Sequence, residues 1–143
     1  MKTSARNVFQ GRITSLRSSG LLVEVVLRTA GGLRVAALIT DESRKTLALA
    51  EGKLVNASVK APWVLVQAGE LPKNASTPAE NCFAGMVERV REDDMVAEIL
   101  VALPEGSLVC ALRNRSAENP VSLTAGQKVT VFFKAFSVIL NLD

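Results

Sequence analysis

The stretch Asn7–Arg17, NVFQGRITSLR, returns later in the chain as Asn81–Arg91, NCFAGMVERVR. The same shift of 74 residues superposes further pairs without a gap: Glu24 on Glu98, Gly32 on Gly106, Val35 on Val109, Gly52 on Gly126, and Lys60-Ala61 on Lys134-Ala135. A register shared by glycines, charges and apolar residues indicates duplication of one supersecondary unit. We therefore predict a first module over residues 1–68, a linker over 69–78 and a second module over 79–143.

Each copy shows the pattern of a small β module. Apolar segments separated by the turn signals SSG and AGG predict strands, which in the first copy are VFQGRITSL, LLVEVVLRT, LRVAALIT and KLVNASVKAPWVLV. A short helix is predicted from Asp41 to Ala50, ended by Gly52. Gly11 lies midway along the first strand, where a barrel must bend. The pattern predicts an all-β chain, with one short helix per repeat, folded as two OB-like barrels.

Composition limits the function classes. The 143 residues are 48% apolar, and they include no histidine and two cysteines, Cys82 and Cys110. This leaves no material for a Ser-His or Cys-His nucleophile or a zinc site, so we predict no enzyme, no catalytic residues, no catalytic cofactor and no metal ligands. No apolar run is long enough to span a membrane, and the N-terminus lacks a secretory signal, so we expect a cytoplasmic protein without membrane contact.

The repeat also assigns the two cysteines. Cys82 takes the place of Val8, and Cys110 takes the place of Ala36. Because both replaced residues are apolar, we predict that the cysteines pack in the core and take no part in redox or metal chemistry.

Polar residues distinguish the copies. One set of three hydroxyl side chains and two cations in the first copy keeps only its lysine in the second: Ser4 becomes Pro78, Arg6 becomes Glu80, Thr40 becomes Asn114, Ser43 becomes Ala117, and Lys60 becomes Lys134. A residue needed by the core should persist in both copies, as Gly11 does. The selective loss predicts a ligand that only the first copy binds.

The chemistry of this set is that of an anion site. Guanidinium and ammonium groups donate charge-assisted hydrogen bonds, and hydroxyls and backbone N–H groups fill the remaining directions. Through Val66 the charge is +6, and the remainder carries −3, so the first copy would attract an anion. Two simpler interpretations stay open: Thr40 only caps its helix, and Ser4 with Arg6 forms a solvated strand end.

Nucleic acid is a less favoured ligand for such a barrel. Single-stranded nucleic acid needs aromatic stacking platforms beside the positive charge. The chain has no tyrosine, Trp63 is its only tryptophan, and Phe9 with Phe83 recurs as core residues do.

The motifs together resemble a known family. SARN at a strand start, a glycine four residues after the asparagine, T-x-x-S before a short helix, and KAPW are similar to the Mop (molbindin, TOBE-type) module, which binds molybdate and tungstate. The resemblance covers nearly the whole chain and implies two tandem OB-like five-stranded barrels. It also implies an oxyanion site in the first module, with a degenerate second site, and molybdenum present only as molybdate. The implied oxyanion-binding residues are Ser4, Ala5, Arg6, Thr40, Ser43, Lys60 and Ala61, with Asn7 and Gly11 structural near the site.

Two roles are known for tandem modules of this family. They form free-standing molybdate stores, or the C-terminal effector half of molybdate-responsive transcription regulators. Because PAEN replaces SARN in the second copy, and ALPEGSLVCAL resembles the regulator's second module, the effector role is favoured and storage is the alternative. The resemblance implies a homo-oligomer, at least a dimer, with sites at subunit interfaces. No helix-turn-helix precedes Thr3, so DNA is expected to be contacted only through a separate domain.

Overall fold

The structure is a computed structural model that describes residues 6–69, 81–115 and 122–142, and of Arg6 it describes the backbone. The first copy contains β1 (Arg6–Ser18), β2 (Leu22–Thr29), β3 (Arg34–Thr40), α1 (Asp41–Thr46), β4 (Leu54–Lys60), a first 3-10 turn (Ala61–Trp63) and β5 (Leu65–Ala68). The second contains β6 (Asn81–Glu92), β7 (Val96–Ala102), β8 (Leu108–Asn114), β9 (Lys128–Phe133), a second 3-10 turn (Ala135–Ser137) and β10 (Ile139–Asn141). The predicted all-β class and the repeated order of strands are confirmed.

Even the irregularities of the strands recur. The pairing of β1 with β2 shifts register just after Ile13, and the pairing of β6 with β7 shifts just after Val87. The N–H of Gly52 donates to the Ile13 carbonyl at 2.8 Å, and the N–H of Gly126 donates to the Val87 carbonyl at 2.7 Å. A bulge bends its strand and increases the local twist, so both copies turn their long first strand at the same place.

The chain forms two compact units whose limits differ from those of the repeats. Among the described residues, the first unit comprises Val8–Val59 and those from Lys134 onward, and the second comprises Arg6, Asn7 and those within Lys60–Phe133. The two five-stranded sheets have the orders β10-β4-β1-β2-β3 and β5-β9-β6-β7-β8. Each copy thus gives its last strand to the other sheet, since β10 pairs with β4 and β5 pairs with β9. The module limits 1–68 and 79–143 stay a prediction about the repeats.

A buried alanine at the start of each 3-10 turn helps each sheet to curl. In the first unit the second 3-10 turn packs on β3, where Ala135 joins Val26 and Ala36 in a buried cluster. In the second unit the first 3-10 turn packs on β8, and Ala61 is fully buried. Each turn leads into one edge strand of its sheet and packs on the opposite edge strand. Each sheet is therefore drawn towards a barrel.

Close approach of the neighbouring strand explains the glycine of each first strand. A Cβ atom added to Gly11 would lie 2.4 Å from the carbonyl oxygen of Arg28. A Cβ atom added to Gly85 would meet a side-chain methyl of Val101 at 2.6 Å and the carbonyl oxygen of Ala102 at 3.0 Å. Both copies thus need glycine at the position where the predicted barrel bends.

Helix α1 is shorter than predicted, because it ends at Thr46 and not at Ala50. Ala48 has a φ of 51°, and its N–H donates to the Lys45 carbonyl while the N–H of Leu49 donates to the Arg44 carbonyl. This bonding is a Schellman motif, which usually has glycine at its left-handed position. Here that residue is alanine, so the sequence signal pointed to the later Gly52. In the second copy, the predicted helix lies largely outside the described residues.

The cysteine prediction is wrong for Cys82. Cys82 is exposed on β6, and Val8 at the equivalent place is 56% exposed, so this apolar position faces outward in both copies. Cys110 is half-buried, next in the chain to the fully buried Val109. Burial, followed by the Glu98 charge, raises the pKa of the Cys110 thiol, which keeps it protonated near neutral pH.

Candidate functional site

The start of β1 is held by the side chain of Asn7. Ser4 and Ala5 lie outside the described residues, as does the Arg6 side chain, and the Arg6 backbone begins β1. Asn7 is 7% exposed, and its carboxamide forms two hydrogen bonds with the backbone of Cys110 in β8. Its Nδ2 donates to the Cys110 carbonyl at 2.9 Å, and its Oδ1 accepts from the Cys110 N–H at 2.7 Å. Asn7 therefore imitates a strand partner at that edge of the sheet.

Lys60 stands at the end of β4 and at the entrance of the first 3-10 turn. Its side chain is exposed and forms no capping hydrogen bond with the turn. The ammonium nitrogen lies 5.3 Å from the centroid of the Trp63 ring, which is within cation–π distance. Ala61, the next residue, is fully buried against the interior of the second unit. The backbone beneath Lys60 is thus fixed while its ammonium remains available to a ligand.

Thr40 and Ser43 are in contact at the beginning of α1. The Thr40 hydroxyl accepts a hydrogen bond from the Ser43 N–H at 3.1 Å and donates to Ser43 Oγ at 2.9 Å. Thr40 is exposed and Ser43 is half-buried. The capping interpretation of Thr40 is therefore realised, and the Ser43 hydroxyl keeps its own proton for a further acceptor.

The two cations of α1, Arg44 and Lys45, both form ion pairs with Asp41. Arg44 Nε lies 3.0 Å from Asp41 Oδ1, and Lys45 Nζ lies 3.3 Å from Asp41 Oδ2. The hydrogen bonds from Arg44 and then Lys45 are the main reason why the pKa of Asp41 is lowered. Lys53, which follows the helix, donates to the carbonyls of Leu47 and Ala48. Arg44, Lys45 and Lys53 therefore all have partners in the helix or in the segment that follows it.

The predicted residues fall into two groups. Thr40 and Ser43 meet in the first compact unit, together with Gly11 in β1. Arg6, Asn7, Lys60 and Ala61 belong to the second compact unit, together with Cys110. That both groups bind one anion stays a prediction.

The equivalent part of the second copy retains one of the five groups within the described residues. Lys134 is exposed and precedes the second 3-10 turn without a capping bond. Ser137 stands where the first copy has Trp63, so this ammonium lacks the equivalent aromatic ring. Asn114, in the place of Thr40, ends β8 and is exposed. Pro78, Glu80 and Ala117 lie outside the described residues, so an ion pair between Glu80 and Lys134, which their opposite charges suggest, stays a prediction.

Two features near the predicted residues do not follow from residue types alone: the ring of Trp63 beside Lys60, and the bond of Asn7 to Cys110. The first had a local signal: residues i and i+3 of a 3-10 turn lie on the same side, and Pro62 favours such a turn in KAPW. The second had no local signal, since 103 positions separate Asn7 from Cys110.

Within the described ranges, no cluster of acidic or cysteine side chains could hold a metal ion. No helix in those ranges is long and apolar enough to cross a membrane.

Comparison with protein families and with individual sequences identifies relatives of this chain. Residues 3–66 and 77–140 each match the TOBE domain. The chain is 36% identical over 141 residues to the DNA-binding transcriptional dual regulator ModE of Escherichia coli K12, covering 98% of this chain and 52% of ModE. It is 31% identical over 142 residues to the molybdenum-pterin-binding protein MopA of Rhodobacter capsulatus, covering 99% of this chain and 53% of MopA. The chain thus spans about half the length of the curated relatives it matches.

A solved structure matches over the full length of both chains. It is a crystal form, with molybdate bound, of the cytoplasmic molybdate-binding protein ModG. The TM-score is 0.89 and the sequence identity is 35%, with 100% of each chain covered. The predicted tandem fold is therefore confirmed. These relatives are binding and regulatory proteins, which supports the prediction that the chain is not an enzyme.

Proposed function

Because the chain belongs to the TOBE domain family, we propose that it binds molybdate, or tungstate as a close analogue, through its first copy. The observation that carries the proposal is the difference between Lys60 and Lys134. Both ammonium groups stand at the entrance of a 3-10 turn, but only Lys60 has an aromatic ring beside it and comes with the hydroxyls and guanidinium of the first copy. That a molybdate-bound ModG structure shares the fold supports the choice of anion.

The proposed binding residues supply the positive charge and the hydrogen-bond donors that a tetrahedral dianion needs. Arg6 and Lys60 balance its two negative charges and donate charge-assisted hydrogen bonds. Ser4 and Ser43 offer hydroxyl protons, and Thr40 orients the Ser43 hydroxyl through their 2.9 Å hydrogen bond. Backbone N–H groups at Ala5 and Ala61 complete the shell. Molybdate, tungstate and sulfate share this geometry, so the size of the cavity must select among them.

Lys60→Met should weaken molybdate binding by about 10- to 100-fold, because a hydrogen bond to a charged group contributes roughly 1.5–3 kcal/mol. Lys134→Met is the matched control. It removes the same charge from an equally exposed position before the second 3-10 turn, and it should leave the affinity unchanged. Isothermal titration of both variants with molybdate, and with sulfate for comparison, measures the effect. Equal losses in the two variants, or none in Lys60→Met, would exclude the assignment.

The role built on this binding is proposed to be that of an effector domain in a molybdate-dependent transcription regulator. The similarity to ModE and the loss of donors in the second copy favour it. In this role the chain acts in the cytoplasm as a homo-oligomer with its sites at subunit interfaces, and a separate domain contacts DNA. The second candidate is a free-standing molybdate store, which the match to ModG over the full length of both chains favours.

Coupling between binding and assembly separates the two roles. An effector changes its partner's state only if the ligand has different affinities for two arrangements of the protein. Molybdate at about 100 times its Kd should then add roughly 2.7 kcal/mol per site to the assembled state, which raises the melting temperature by several degrees and shifts sedimentation. Sulfate should do neither. If sedimentation is the same with and without molybdate, the effector role is excluded and storage remains.

A further inference from the structure

One strand of the second copy contacts both parts of the first copy that carry its predicted cations. Strand β8 forms an edge of its sheet and lies in the second compact unit. Asn7, next to Arg6, bonds to β8 through its carboxamide, and the 3-10 turn that follows Lys60 packs on the same strand. The two segments are far apart in the sequence, and β8 is where they are brought together.

The contact with Asn7 is specific because it uses both polar atoms of one backbone position. Cys110 lies on β8, which among the described strands pairs only with β7, and the Asn7 side chain bonds to the Cys110 N–H at 2.7 Å and to its carbonyl at 2.9 Å. These two bonds hold the backbone of β1 at Asn7 against β8. Arg6 directly precedes Asn7 in β1.

The contact with the 3-10 turn works by close packing. Ala61 is fully buried where the turn meets β8, so the side chain at this position must be small. Lys60 directly precedes it, and its backbone is extended, with φ −68° and ψ 138°. The position of the ammonium group therefore depends on how closely the turn lies on β8 and on the Trp63 ring beside it.

From these contacts we infer that β8 of the second copy positions the anion-binding groups of the first, with the Asn7 carboxamide and the buried methyl group of Ala61 as the positioning groups. This inference rests on the proposed function of the site. The second copy then has a role although it has lost four of the five donor groups. It provides strand β8, which positions Arg6 and Lys60.

The test compares equivalent residues in the two copies. Asn7→Ala removes both bonds to Cys110 and should weaken molybdate binding at least about tenfold. Asn81→Ala is the control, since Asn81 is 2% exposed and stands at the same place in the second copy. It should lower thermal stability to a similar degree but change the affinity less than about twofold. Titrations are made well below the lower melting temperature, so that both variants are folded.

A second pair keeps the test decisive if Asn7→Ala does not fold. Ala61→Val should push the first 3-10 turn away from β8 and weaken binding, whereas Ala135→Val, at a site that is 1% exposed, should lower stability and leave the affinity intact. Wild-type affinity in the first-copy variants, or equal losses in both copies, would overturn the inference while leaving molybdate binding intact. Absence of binding by the wild-type chain would instead overturn the proposed function itself.

Discussion

Replacement of Arg6 by glutamate is expected to abolish molybdate binding while the protein remains folded. The second copy already has glutamate at the equivalent position, Glu80, so the fold tolerates it there. Beside a dianion the change removes one attractive charge and adds a repulsive one. Each contributes about 4 kcal/mol at 4 Å and an effective dielectric constant near 20. The affinity should therefore fall by more than about 1000-fold.

The control for Arg6→Glu is Arg34→Glu, which changes the net charge by the same amount. Arg34 is exposed and begins β3, whereas Thr40 ends that strand, so the two residues are about 20 Å apart. Its substitution should alter molybdate affinity only through the weak long-range field. Titration of both variants, with circular dichroism to establish folding, gives the comparison. Tight binding by a folded Arg6→Glu protein would remove Arg6 from the site.

The largest effect on stability is expected for Gly11→Ala. The new methyl group would lie 2.4 Å from the Arg28 carbonyl oxygen, a backbone atom that cannot move without opening the pairing of β1 with β2. Overpacking of this kind costs typically 1–3 kcal/mol, and contact with backbone places the change at or above the upper end. A loss of about 3 kcal/mol should lower the melting temperature by ten degrees or more.

Gly85→Ala provides a graded comparison in the second copy. Its nearest atom, at 2.6 Å, belongs to the side chain of Val101, which can adjust, and the nearest backbone oxygen is 3.0 Å away. This variant should therefore lose less stability than Gly11→Ala when both are unfolded by urea. Equal or reversed losses would contradict the argument from close approach.

Much of the fold could be predicted because each position of the repeat occurs twice in the sequence. A glycine such as Gly11, or a bulge site such as Ile13, recurs at the same place in the second copy, so local patterns are read twice. The place of a residue in the repeat did not predict on which face of its strand the side chain lies. Cys82 and Val8 are apolar in both copies and yet exposed, since an apolar residue can face either side of a strand.

The exchange of final strands could not be predicted from the sequence. The segments Leu65–Ala68 and Ile139–Asn141 occupy equivalent places in the repeats, so either could complete either sheet by pattern alone. Linker length and packing decide between these pairings, and neither is a local property.

The candidate site was predictable only as a set of residue types. The loss of Arg6 and of the three hydroxyl side chains in the second copy predicted an anion site, because functional residues are free to change where function is lost, and Lys60 adds a second cation to that prediction. Their alignment depends on Asn7 and on strand β8, whose contact with Asn7 joins distant parts of the chain. Such a contact leaves no periodic or local signal in the sequence.

The central claim is that the first copy alone binds one molybdate per chain. The most direct measurement is anomalous diffraction at the molybdenum absorption edge from crystals grown with molybdate. We predict one strong molybdenum peak per chain, within hydrogen-bonding distance of Lys60 Nζ and the Arg6 guanidinium. A peak beside Lys134, two equal peaks per chain, or no molybdenum peak at all would contradict the claim.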